Sequence, residues 1–267
     1  MLDFCQSRLH RLGRTEGKRP VILEICAAGL DDCLTAQAHG ADRVELNSAL
    51  TLGGLTPSLG LLEEVRRRTR LQIIAMIRPR DGGFAYSESE LDVMERDIAL
   101  ALKAGADGFA LGVLNADRTV NVVACRRLVN AMKGRTAVFH RAFDLVPDPF
   151  AAMEILISLG FKRILTSGQK PTALEGAALI RDLIQKADGR IEILPGAGVS
   201  EHNVVKLLEA TGADQVHASL SGEQVDATLD ASDPLGFRAA PLPGDQYKAT
   251  QGERVSALRA ALDRIDS

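Results

Sequence analysis

Short apolar runs ending in polar clusters recur along this chain, each followed by a stretch with helical spacing. The runs cover Val21 to Cys26, Arg43 to Asn47, Leu71 to Arg78 and Gly108 to Leu114, then Ala137 to Arg141, Arg163 to Ser167, Ile191 to Leu194 and Gln215 to Ala218. Between them lie helix signals. Ser58, Ser87 and Asp148-Pro149 are helix starts, Ser200 is the expected cap of a short helix, and Leu91, Met94, Ile98 and Leu102 keep a helical period. Gly40-Ala41-Asp42, Gly105-Ala106-Asp107 and Gly212-Ala213-Asp214 repeat one stop signal before a strand.

Strand alternating with helix predicts a parallel sheet, and about eight such units predict a TIM-type (β/α)₈ barrel in a single α/β domain. A doubly wound open sheet would need an edge strand and usually a GxGxxG turn after strand one. Cys26-Ala27-Ala28-Gly29 is not such a turn. The barrel domain is expected over residues 21–267. Its pattern lapses into a long loop at about 221–252, before a last helix over Glu253 to Ile265. Residues 1–20 read as a basic N-terminal extension, carrying Arg8, Arg11, Arg14, Lys18 and Arg19.

Composition narrows the functional classes. A net charge of -3 gives no reason to expect nucleic acid or an anionic membrane as partner. No apolar run approaches the roughly 18 residues of a membrane helix. Cys5, Cys26, Cys33 and Cys125 lack CxxC spacing, which argues for a reducing compartment and a cytoplasmic location.

The chemistry is expected at the strand ends. Side chains alternate along a strand, so Glu24 shares a face with Cys26 and Glu45 with Asn47. Their apolar neighbours must face the helices, which turns these four into the barrel. A carboxylate there needs partners, and Arg78, Arg80, His140 and Arg141 end other strands. Two readings stand side by side: a salt-bridge network holding the barrel mouth, and an acid/base site with an arginine clamp. In the second, Arg78 and Arg80 bind an anion while Glu24, Glu45, His140 and Asp144 divide the catalytic roles. Thr166 and Ser167 after strand six, and Gly196 and Gly198 after strand seven, form loops resembling anion cradles. No strand-end lysine serves a Schiff base; Lys170 is a loop residue. For a metal, Cys26 is the soft ligand on this face, with Met76 or His140 as conceivable seconds.

Taken in order, these stretches resemble the CutC family. The likeness rests on Leu23-Glu24-Ile25-Cys26, Gly40 to Leu46, Gly53 to Gly60 and Ile77-Arg78-Pro79-Arg80. It continues through Phe84 to Ser87, Phe139 to Asp144, Leu165 to Gln169 and Gly196 to Val199, spanning roughly Val21 to Ser219. The resemblance implies a TIM-type barrel, a cytoplasmic homo-oligomer and a role in copper homeostasis through copper ion binding, with Cys26 as principal ligand. Family members often carry a cysteine, proposed as a copper ligand, where this chain has Asn47, and some carry a second thiol at the place of Ala27. The residues taken alone also support an enzyme acting on a small anionic or phosphorylated metabolite. The expected partner is thus a small-molecule anion or Cu(I).

Overall fold

The computed structural model describes residues 20–228 and 246–266. Strands and helices alternate as the pattern predicts: β1 (Ile22–Ala27), α1 (Leu30–Ala38), β2 (Arg43–Leu46), α2 (Leu59–Arg68), β3 (Gln72–Met76), α3 (Glu88–Lys103), β4 (Gly108–Leu111) and α4 (Val122–Ala131). There follow β5 (Thr136–Phe139), α5 (Pro149–Leu159), β6 (Arg163–Thr166), α6 (Ala177–Ala187), β7 (Glu192–Pro195), α7 (Val204–Thr211) and β8 (Gln215–Ala218). A two-stranded ribbon, β9 (Ser221–Val225) with β10 (Gln246–Thr250), leads into α8 (Gly252–Asp266). Neighbouring strands of the eight pair in parallel from β7 back to β1, and β8 pairs with β1. β7 and β8 also lie in contact, so the sheet curls into the expected barrel.

Local chemistry sets the element ends. Ser58 accepts the Leu61 N–H at 3.1 Å, Ser87 forms a reciprocal capping box with Glu90, and Asp148 caps α5 with Pro149 in its first turn. Each such cap contributes about 1 kcal/mol. In the turns before β2 and β4, Gly40 and Gly105 take left-handed φ values of 92° and 95°. The aspartate two residues on then reaches back to the preceding strand. Asp42 accepts the Leu23 N–H at 2.8 Å, and Asp107 accepts the Ile73 N–H at 2.8 Å.

Alternation divides the strand side chains as expected. Leu23, Ile25, Val44, Leu46 and Ile73 are fully buried within the main apolar core, which includes helix residues such as Leu62, Val65 and Leu262. Inside the barrel, β3 to β7 supply a second apolar cluster of Ile74, Met76, Ala110, Val138, Leu165 and Leu194. Each of the larger side chains buried there contributes about 1.5–3 kcal/mol. β1, β2 and β8 fill the remaining interior with polar groups, and register explains their meeting. Glu24 lies opposite Arg43 of β2 and His217 of β8, while Cys26 lies opposite Glu45.

Two expectations change. Ser200 does not cap α7: the helix begins after Asn203, whose side chain accepts the Ser200 N–H at 2.9 Å. The segment expected as a loop at about 221–252 carries the β9–β10 ribbon at its two ends. Its middle, residues 1–19 and Cys5 lie outside the described residues.

Candidate functional site

A cavity of about 360 Å³ opens at the C-terminal ends of the strands. Cys26, Glu45, Asn47 and His217 line it from β1, β2 and β8. Arg78, Phe84, His140, Arg141 and Asp144 line it from the elements around β3 to β5, and Met76 and Leu165 supply apolar wall.

The polar wall is built on Glu24, which lies deeper in the barrel. One of its oxygens accepts from Arg43 Nε, and the other sits 2.7 Å from His217 Nδ1. Burial opposes its charge, yet Arg43 and His217 hold its carboxyl well below the usual range. Glu24 is therefore a fixed anion rather than a proton carrier. Burial also disfavours charge on His217, but Glu45, Cys26 and Glu24 around the ring keep its pKa well above that of a free imidazole. Burial pushes both Glu45 and the Cys26 thiol up. Asn47 Nδ2 closes this wall, donating to the Glu45 carboxylate at 3.1 Å and to Cys26 Sγ at 3.5 Å. Donor atoms of Cys26, Glu45 and His217 all lie within 4.8 Å of one another, the one such grouping of three among the described residues.

The opposite wall is made of donors. Arg78 is 6 % exposed and spends Nη1 on the Leu52 and Gly54 carbonyls and Nη2 on the Gly82 carbonyl. It thereby ties the glycine-rich loop after β2 to the loop after β3. Its guanidinium carbon lies 5.3 Å from the centre of the Phe84 ring, and the His140 ring packs against the same ring at a tilt of 58°, with centroids 4.9 Å apart. Gly112 makes room for His140, since a Cβ there would come within 2.7 Å of the imidazole. His140 Nδ1 accepts the Ala142 N–H at 3.2 Å, so a neutral ring carries its proton on Nε2. Burial, with Arg78 adding repulsion, pushes its pKa down to about 3.

Several expected site residues serve other ends. Asp144 touches the cavity, but its carboxylate accepts from Thr166 Oγ1 (2.5 Å), the Ser167 and Gln169 N–H groups, Ser167 Oγ and Arg141 Nε. With its acceptor sites occupied, it staples the loop after β6 rather than standing as a free base. Thr166 and Ser167 are buried in that staple and do not line the cavity. Gly196 and Gly198 do not line the cavity. Gly196 instead leaves space for His217, because a Cβ there would meet Leu165 at 2.6 Å and His217 at 3.3 Å. Gly198 offers its carbonyl to Asn203 Nδ2 at 2.7 Å. Arg80 points elsewhere: it pairs with Glu90, lies over the Tyr86 ring and donates to the Ala85 carbonyl at 2.9 Å. His217 and Arg141, by contrast, line the cavity.

A comparison with known families matches the CutC family model to residues 21–222, most of the chain. The chain belongs to the CutC family. A CutC family protein of Treponema denticola is 47% identical over 221 residues, covering 83% of this chain and 90% of that protein. The Homo sapiens protein named copper homeostasis protein cutC homolog is 42% identical over 255 residues, covering 95% of this chain and 93% of its own. The solved CutC structure from Streptococcus agalactiae, 35% identical, superposes with a TM-score of 0.71 over 74% of this chain and 97% of that one. An aldolase barrel at 18% identity and a TM-score of 0.56 shares the fold alone.

Proposed function

We propose that this CutC family member serves copper homeostasis by holding a copper ion on Cys26 and His217, with Glu45 beside them. The supporting observation is the convergence of these three donors within 4.8 Å, on the face where barrel chemistry concentrates. Thiolate and imidazole suit Cu(I), whereas a carboxylate is a harder ligand that favours Cu(II). Glu24 behind His217 is the outer carboxylate that orients a metal-binding imidazole and leaves Nε2 as the ligand atom. Names carried by the human and mouse relatives agree with this reading.

Copper is cargo here, and its entry displaces the Cys26 thiol proton and the His217 Nε2 proton. Such a thiol has to be kept reduced, which fits a cytoplasmic setting. No helix among the described residues is long and apolar enough to cross a membrane.

Titration of the reduced protein with Cu(I) against a competing chelator tests the reading. The expected result is one tightly held ion per chain, lost in Cys26→Ser. If Cys26→Ser holds copper as tightly as the parent, the proposed site is wrong.

A further inference from the structure

The donor wall has chemistry that a copper ion on the opposite wall leaves unused. Arg78 carries a buried positive charge, and none of the described carboxylates pairs with it. Its Nη groups are engaged by carbonyls, which satisfy hydrogen bonds without cancelling the charge, and its buried Nε has no partner. His140 Nε2 is likewise buried and unpartnered, while Nδ1 is committed to the Ala142 N–H. Two nitrogens of cavity-lining residues therefore lack acceptors, although buried N–H groups in folded proteins nearly always have one. A lone buried cation is also costly until an anion arrives. The volume, about 360 Å³, falls in the range of small-molecule sites. Met76, Leu165 and Phe84 supply apolar surface beside the donors.

We infer that the cavity binds a small organic anion, whose carboxylate or phosphate oxygens take up the unpartnered N–H groups of Arg78 and His140 while its carbon skeleton packs on Met76, Leu165 and Phe84. The oxyanion supplies both missing items, a negative charge for Arg78 and an acceptor for His140. A neutral imidazole suits this role, because it donates through Nε2 without adding a second charge that burial would penalise. Phe84 touches both donor residues. The two oxyanion donors follow β3 and β5, whereas the copper donors stand on β1, β2 and β8 across the same cavity.

The test uses metal-free full-length protein, so that its outcome does not depend on copper. Malonate and inorganic phosphate are titrated separately to about 10 mM, a range that reveals millimolar binding, with sodium chloride matching ionic strength. Amide resonances of Gly53, Gly112 and Ala142 are followed by NMR. The expected result is saturable shifts at these three positions, and the anion that saturates first identifies the headgroup as carboxylate or phosphate. His140→Phe, which keeps a ring of similar size, should weaken the binding by about tenfold. Arg78→Gln should abolish it, with His140→Phe as the safeguard if loss of the loop ties unfolds that variant. Absence of saturation with both anions, or equal binding by parent and His140→Phe, overturns the inference.

Discussion

Glu24 and His217, 193 positions apart in the chain, meet at 2.7 Å between Oε1 and Nδ1. Parallel register puts them side by side, and the Arg43 guanidinium on the other carboxylate oxygen keeps Glu24 ionised. The imidazole is thus oriented from below, with its second nitrogen turned toward Cys26 and Glu45.

Replacing Glu24 by Gln keeps the shape and removes the charge. Copper affinity should fall by about 10–100-fold, the usual consequence of losing a carboxylate behind a ligating histidine. The same change leaves Arg43 buried without its anion and should destabilise the fold by about 3–5 kcal/mol. Chelator competition and urea denaturation measure the two effects separately. An unchanged copper affinity would remove His217 from the ligand set.

Asn47 lies beside Cys26, 3.5 Å from its sulfur. A second thiol at this place gives Cu(I) another soft ligand, so Asn47→Cys should tighten copper binding by at least about tenfold, or about 1.4 kcal/mol. Cys is smaller than Asn and fits the space under Gly54. Weaker binding in this variant would mean that copper sits away from β2.

Much of this architecture was legible in the residues, for physical reasons. Strands β1 to β8 show as apolar runs because both faces of a parallel barrel strand are covered. Caps at Ser58, Ser87 and Asp148 show because their side chains act on neighbours in sequence. Cys26, Glu45, Arg78 and His140 stand out as polar groups on otherwise apolar strands. His217 is harder to weigh, since its meaning comes from Glu24 on another strand. Arg80 misleads because it shares the Arg-Pro-Arg step with Arg78, and the chain turns after Pro79 so that the two side chains part. Asp144 looks like a free acid until the turn at 166–169 brings N–H groups onto it. The ribbon strand Ser221–Val225 is polar and largely exposed, so no alternation marks it.

His140 predicts a specific acid response. An unfolded chain takes up this proton near pH 6.5, but the folded one resists until about 3. Between those values the unfolded state binds more protons, so stability falls as pH drops, by up to about 1.4 kcal/mol per pH unit from this group. His140→Phe removes the contribution. Urea midpoints measured from about pH 6.5 to pH 4 should therefore decline less steeply in the variant than in the parent. Parallel declines would show that His140 titrates normally.

For Asp144 the expectation is structural. Asp144→Ala strands the Ser167 and Gln169 N–H groups and should destabilise the protein by about 2–4 kcal/mol, while chelator competition gives the parent's copper affinity. A large loss of copper binding without a loss of stability would contradict the staple role.

β8 is laddered to β1 on one side, but its contact with β7 carries no hydrogen-bonded register. Among the described strands, β7 and β8 are the neighbours that can part without breaking a paired backbone ladder. His217, tied to Glu24 of β1, would stay with β1 if that seam loosened.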